Sequence, residues 1–255
     1  MRVRIFVVLV LAVCSAATNA TAQNAICLKP WTIPDKWTER HDDDSPAHDW
    51  TDGDTFQTVD SHGNALSDPD VYIPPNGRDY SGYTGYTGYT GFTRSDSGRL
   101  ITLKIGDPHD GMKAGWFYAI DIGTAGGGGN AYRTAIATCH ETPVLMGSSL
   151  QPLSGMLSGP TVQGVADLIN LDPDAKWDPL KGVINSCAPS PSCGSVSPRL
   201  VAIAVFDPAR FEWSLINSGQ PWLSVTNFIG VFIDGVVGGK VTGYITTLSS
   251  MNNQP

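Results

Sequence analysis

The chain of 255 residues is acidic, with a formal net charge of −8 and a pI of about 4.9, and 16% of its residues are charged. This balance disfavours nucleic-acid binding, which needs a basic surface, and the sequence lacks the basic amphipathic helix of a membrane-surface protein. Hydrophobic residues make up 41% of the chain, which is enough for a core and excludes a disordered protein. The 28 glycines and 18 prolines indicate many turns and short elements.

The first 22 residues are typical of a secretory signal peptide. Arg2 and Arg4 give a positive start, residues 5–13 form an apolar stretch, and residues 16–22 offer small side chains for cleavage. The apolar stretch is too short to span a bilayer comfortably, and no second long apolar run follows. We therefore expect a periplasmic or extracellular protein with no transmembrane span after cleavage.

Residues 23–98 are predicted to form an irregular N-terminal arm. Pro30 and Pro34 forbid a long helix, while Trp31 and Trp37 supply large apolar side chains. These tryptophans either insert into the core or stack on sugars, and insertion is the simpler interpretation.

A Gly-Tyr-Thr repeat occupies residues 80–93 of this arm. Its period of three fits neither the strand period of two nor the helix period of 3.6, so it predicts an extended loop. We favour the expansion of one ordinary turn, which could be shortened with little loss of stability. The alternative is an adhesive or glycan-stacking surface made by the aromatic rings.

The most regular unit of the sequence follows. Aspartate, proline and glycine within residues 107–111 mark a turn, and the aromatic and β-branched run 116–122 predicts a buried strand. Glycines at 126–129 interrupt the strand, and Asn130 is a candidate N-cap for a short helix that ends near Cys139.

The second half of the chain predicts one more helix and a group of strands. Residues 162–169 have helical periodicity, residues 199–207 read as a strand, and residues 224–234 and 240–248 read as a hairpin. The expected fold class is α+β, a mostly antiparallel sheet with two short helices and long Gly/Pro-rich loops. Residues 99–250 form its core, and the arm completes the same domain.

Four cysteines remain after signal cleavage, and they allow three disulfide connectivities. Cys187 and Cys193 flank a short Pro/Ser loop and are predicted to close it. That leaves Cys27 to pair with Cys139, which would tie the arm to the central helix. A long-range bridge stabilises by roughly 3–5 kcal/mol in the chain-entropy model. No paired C-x-x-C pattern supports a zinc site.

Carboxylates cluster in two loop-like stretches that could bind calcium weakly. Oxygen ligands on flexible loops suit calcium, but the EF-hand spacing is absent and a solvated loop is the simpler interpretation. We expect no confident metal site and no cofactor. The weak calcium candidates are Asp42, Asp44, Asp49, Asp52, Asp54, Asp107 and Asp110.

No set of residues predicts catalysis. The nucleophile-elbow pattern G-x-S-x-G is absent, and the five histidines are scattered through loop-like sequence. His140 and Glu141 could be combined with Asp107 and Asp110 into an acid–base pair, but any acidic protein allows such combinations. The sequence therefore predicts no catalytic residues.

Several segments in fixed order carry a family resemblance, namely CLKPWTIPDKW, GWFYAIDI, YRTAIATC, GPTVQGVADLINLDP, SPRLVAIAVFDPARF and NFIGVFIDGV with GGKVTGYI. From about residue 25 to residue 248, the chain resembles the extracytoplasmic C-terminal region of TadE/TadG-like proteins of Flp (Tad) pilus assembly. The resemblance implies a role in the envelope or pilus, with envelope or pilus proteins as partners, and no enzyme activity. Such proteins usually carry an N-terminal membrane anchor, where this chain has a cleavable-looking signal.

The expected function is that of an exported, non-enzymatic accessory protein of the cell envelope or of a Tad-type pilus. A calcium-dependent adhesin or glycan-binding module is the first alternative. A secreted hydrolase of unknown type is the second.

Overall fold

The computed structural model of the chain describes residues 27–40, 55–75, 88–122, 128–138, 144–155 and 157–247. The predicted signal peptide and most of the acidic stretch lie outside these ranges. Among the described segments, every helix is too short or too polar to traverse a bilayer.

Three α-helices and nine strands occur in the described residues. The helices are α1 Gly128–Ala137, α2 Ser158–Asn170 and α3 Pro208–Ser218. The strands are β1 Cys27–Pro34, β2 Leu100–Ile105, β3 Trp116–Ala119, β4 Ser149–Leu150, β5 Lys176–Asp178, β6 Gly182–Ile184, β7 Leu200–Phe206, β8 Leu223–Val237 and β9 Lys240–Thr246.

Seven strands form one mixed sheet in the order β4-β8-β7-β1-β3-β2-β9. The pairings β1–β7 and β2–β3 are parallel, and the others in this sheet are antiparallel. Because β9 also pairs with β8, six of the strands form a closed ring of hydrogen-bonded neighbours. A separate hairpin consists of β5 and β6. The predicted α+β class with a mostly antiparallel sheet is confirmed.

The N-terminal arm contributes a central strand, so its expected irregularity is wrong for residues 27–34. Strand β1 lies between β7 and β3. Its register against β7 shifts between Leu28 and Thr32, and Pro30 falls in that shift. A bulge accommodates a residue that has no N–H to donate, which explains how a proline enters a central strand.

Strand β7 is buried on both of its faces, which is why it reads as an unbroken apolar run. One face, which includes Val201 and Ile203, packs in a core cluster with Trp31 and with side chains of α1 and α2. The other, which includes Ala204, packs in a second cluster with side chains of β3 and α3. The helices therefore cover the two faces of this strand separately.

The helix predictions are partly wrong. Helix α1 begins at Gly128, so Asn130 lies inside the helix and is not its N-cap. Helix α3 makes a third helix where two were expected. Its start is fixed by Asp207, whose carboxylate accepts from the N–H of Arg210, and Gly219 at φ 65° caps its end. Aspartate just before a helix, proline at its first position and glycine just after its end are the usual boundary signals.

The predicted C-terminal hairpin is confirmed. Strands β8 and β9 pair across Gly238 and Gly239, whose φ angles are 58° and 77°. Positive φ at both central positions is the requirement of a type I′ turn, which glycine meets without strain.

Candidate functional site

Two buried carboxylates follow two neighbouring parallel strands. Asp35 comes directly after β1, and Asp207 comes directly after β7. The two strand ends meet, because the N–H of Asp35 donates to the carbonyl of Phe206 at 2.9 Å. Both aspartates are fully buried. The carboxyl ends of parallel strands are where functional side chains often gather, so this end of the sheet is the first place to look for a site.

Four donors converge on the carboxylate of Asp35. The hydroxyls of Tyr72 and Tyr89 donate to Oδ2 at 3.0 and 2.7 Å. The N–H groups of Phe92 and Lys36 donate to Oδ1 at 2.8 and 3.0 Å. We call these five residues the Asp35 cluster. Its donors come from three separate stretches of chain, so one carboxylate joins all three.

The charge of the Asp35 cluster is set by burial. Burial raises the pKa of Asp35 to about 6, because the loss of water outweighs the hydrogen bonds that favour the charged form. Burial and the negative charge of Asp35 raise the pKa values of Tyr72 and Tyr89 far above their usual range. At neutral pH the tyrosines are therefore protonated donors, and Asp35 is an ionised acceptor.

Further polar contacts surround the Asp35 cluster. The amide nitrogen of Asn227 donates to the Tyr89 hydroxyl at 3.2 Å, which adds strand β8 to the network. The ammonium of Lys36 lies 2.6 Å from a carboxylate oxygen of Asp96. Asp96 also accepts from the N–H of Thr93 at 2.7 Å and so caps a short 3₁₀ turn. The arrangement holds the chain together, and its central carboxylate is closed to solvent.

The end of the Gly-Tyr-Thr repeat belongs to this network, which corrects the interpretation of the whole repeat as a dispensable loop. Tyr89 binds Asp35, Phe92 is buried in the core, and Thr90 accepts a hydrogen bond from the N–H of Ile73. A Cβ on Gly91 would overlap both Tyr89 and Asp35, so only glycine allows this close approach. Residues 80–87 lie outside the described ranges.

A second polar centre lies beside the predicted local disulfide. The Cys187–Cys193 bond is present. Asp172 accepts from the hydroxyls of Ser186 and Ser197, each at 2.6 Å, and from the N–H of Cys187 at 2.9 Å. Burial acts to raise the pKa of Asp172, but these hydrogen bonds and the positive charge of Arg199 together outweigh it and hold the pKa below its usual value.

This second polar centre joins separate segments of the chain and is not arranged as a metal site. Potential ligand atoms of Asp172, Cys187 and Cys193 lie within 4.8 Å of one another. The sulfurs are bonded to each other and the carboxylate is occupied by three donors, so the set does not offer the thiolates that a zinc site needs. Arg199 completes the junction by donating to the carbonyls of Asp172 and Ala175 at 3.1 and 2.8 Å.

Two of the weak calcium candidates lie in the described residues, and the other five lie outside them. Asp107 caps a 3₁₀ turn, accepting from the N–H of His109 at 2.9 Å, and Asp110 ends the same turn. The backbone hydrogen bond from His109 lowers the pKa of Asp107. The turn interpretation is therefore confirmed for Asp107. The remaining candidates lie outside the described residues: Asp42, Asp44, Asp49, Asp52 and Asp54.

The predicted long-range disulfide stays a prediction. Cys139 and the side chain of Cys27 lie outside what the structure describes. The described neighbours approach each other, because the ammonium of Lys29 donates to the carbonyl of Thr138 at 2.9 Å. Burial lowers the pKa of Lys29 to about 8.

The described tryptophans range from fully buried to about half exposed. Trp31 is fully buried, and its indole N–H donates to the hydroxyl of Tyr132 at 2.8 Å, which confirms insertion into the core and excludes sugar stacking. Trp37 packs edge-on against Phe56 with ring centroids 5.6 Å apart. By contrast, Trp213 and Trp222 are 57% and 47% exposed.

The exposed indoles form one surface with an aliphatic neighbour. The ring centroids of Trp213 and Trp222 lie 6.1 Å apart, with the planes tilted by 55°. Ile216 is 51% exposed and follows Trp213 by three residues on α3, which places both on the same helix face. We call Trp213, Ile216 and Trp222 the α3 aromatic surface. The sequence reasoning missed it because helix α3 was not predicted.

Comparison with known proteins found no matching family model, no similar characterised protein and no similar solved structure.

Proposed function

We propose that the chain is an exported, non-enzymatic accessory protein of the cell envelope, associated with a Tad-type pilus. The observation that carries the proposal is that the buried carboxylate of Asp35 is enclosed by donors of its own chain. Asp35, the aspartate with the strongly raised pKa, accepts four hydrogen bonds from its own chain and has no exposed surface. A general acid or base must reach its substrate directly or through one water, which a closed carboxylate does not do.

Export is supported by two features of the chain. The first 22 residues have the three regions of a secretory signal. The Cys187–Cys193 bond belongs to the class of structural disulfides that persist in oxidising compartments. The association with a Tad-type pilus rests on the resemblance of residues 25–248 to TadE/TadG-like proteins.

Cell fractionation tests this proposal. The full chain, with a C-terminal epitope, is expected in the periplasmic or extracellular fraction with its first ~22 residues removed. Intact mass before and after thiol alkylation is expected to show that no cysteine is free. The matched control is a chain that begins at residue 23, which should stay in the cytoplasm. A wild-type chain that stays there at full length would contradict the proposal.

A second measurement addresses the pilus. Affinity purification of the tagged chain from envelope extracts is expected to recover pilus-assembly components, and the leaderless control should not recover them. Recovery of the same set by both chains would show that the association forms only after lysis and would count against a pilus role.

A further inference from the structure

The α3 aromatic surface has a shape suited to a ligand rather than to the core. Trp213 and Trp222 are about half exposed, and their tilted rings diverge from one another at 55°. Neither indole N–H donates a hydrogen bond to the part of the chain that the structure describes. Both donors therefore remain open to a bound molecule, next to the ring faces.

The backbone that carries the α3 aromatic surface is fixed by helix caps and by one side-chain hydrogen bond. Asp207 caps the start of helix α3 and Gly219 caps its end. The N–H of Trp222 donates to the hydroxyl of the buried Ser214 at 2.9 Å, which ties the second tryptophan to the helix that carries the first. Such a preorganised pair loses little conformational freedom when it binds.

The stretch that carries the two rings is polar and uncharged, while the exposed Arg210, one turn before Trp213 on the same helix, is engaged in an interaction of its own. None of the residues from Trp213 to Leu223 is ionisable, although the chain as a whole carries a net charge of −8. The amides of Asn217 and Gln220 are exposed in the stretch between the two tryptophans. The neighbouring acid, Glu212, is turned away and binds Thr58. A tryptophan combines an apolar ring with a polar N–H, which suits a contact that is apolar on one side and wet on the other.

The size of the surface argues against a second protein molecule as its occupant. A tryptophan side chain buries at most about 250 Å², so two half-exposed indoles offer roughly that area together. Ile216 adds less than one further indole would. A stable protein interface needs roughly 800 Å² from each partner. The surface is therefore large enough for a few sugar rings and too small, alone, for a stable dimer.

We propose that the α3 aromatic surface binds a neutral saccharide chain. The two indoles stack on the C–H faces of sugar rings. The indole N–H groups and the amide of Gln220 hydrogen bond to the sugar hydroxyls. The amide oxygen of Asn217 accepts from them, and its nitrogen, which donates to the carbonyl of Trp213 at 2.8 Å, holds the amide in place. This inference goes beyond the proposed accessory role and stands or falls independently of it.

Isothermal titration of the mature chain tests the inference, with cellotetraose, maltotetraose and the tetramer of N-acetylglucosamine as neutral probes and tetragalacturonate as the acidic one. At least one neutral probe is expected to bind. Trp213→Ala and Trp222→Ala should each weaken binding at least about tenfold, since each removes a stacking ring. Gln220→Ala should weaken it less. The matched control is Leu180→Ala, which shortens an apolar side chain that is 95% exposed elsewhere.

Several outcomes would overturn the inference. The first is the absence of binding to every neutral probe. The second is wild-type affinity in the Trp213→Ala/Trp222→Ala double variant. The third is a preference for the acidic probe that disappears at about 0.5 M salt, where charge attraction is screened. A concentration-dependent dimer that Trp213→Ala abolishes would assign the surface to a second copy instead. Trp213→Phe keeps a ring and should retain part of the affinity, which separates lost stacking from misfolding.

Discussion

Asp35 should make the folded chain more stable as the pH falls from 7 to 5. Its pKa is raised from 3.8 to about 6 by burial, so the folded state binds a proton more tightly than the unfolded state does. The stabilisation is fully present below the unfolded pKa and is lost as the pH rises through the folded pKa. With these values Asp35 contributes about 1.3 kcal/mol more to the free energy of unfolding at pH 5 than at pH 7.

Urea unfolding of the wild type and of Asp35→Asn at both pH values measures this contribution. Residue 35 cannot titrate in this variant, so the increase in the free energy of unfolding between pH 7 and pH 5 should be smaller in it by about 1.3 kcal/mol. The matched control is Asp167→Asn. The hydrogen bonds and the charge of Arg133 lower the pKa of Asp167, so the stability that Asp167 contributes is lost only as the pH falls below the usual aspartate range. An identical pH dependence in the wild type and Asp35→Asn would refute this account of the cluster.

Three further predictions concern the repeat, the cysteines and calcium. Tyr89→Phe removes a hydrogen bond to a buried carboxylate and should lower the free energy of unfolding by about 1.5–3 kcal/mol. Deleting residues 82–87 should change the free energy of unfolding by less than about 1 kcal/mol, because loop-closure entropy depends weakly on loop length. Equal losses in the two variants would contradict this. Peptide mapping without reduction should recover Cys27–Cys139 beside the Cys187–Cys193 peptide, and a Cys27–Cys187 or Cys27–Cys193 peptide would refute that pairing. Thermal scans in millimolar calcium and in chelator should differ little, and a drop of roughly 10 °C on chelation would reveal a structural site.

Sequence patterns predicted the elements whose signals are local. Strand β7 and the β8–β9 hairpin follow from apolar runs and a Gly-Gly turn, and both were found. Helix α3 was missed although Asp207 and Gly219 mark its ends. Trp213 and Ile216 point into solvent, so apolar residues lie on both sides of this helix and blur its amphipathic pattern.

Features that depend on distant contacts could not be read from the sequence. Strand β1 carries two prolines in eight residues, and its bulge against β7 is what allows such a segment to lie in the middle of the sheet. Asp35 looked like an ordinary aspartate, because its partners Tyr72 and Tyr89 lie 37 and 54 positions away. No short motif encodes a junction between segments this far apart.

Piliation of a deletion strain tests the central claim most directly. Electron microscopy should show fewer pili per cell after deletion of the gene in its own host. The full chain should restore their number, and the chain that begins at residue 23 should not, since it is expected to remain in the cytoplasm. Normal piliation after deletion, or restoration by the leaderless chain, would contradict the account of an exported pilus accessory.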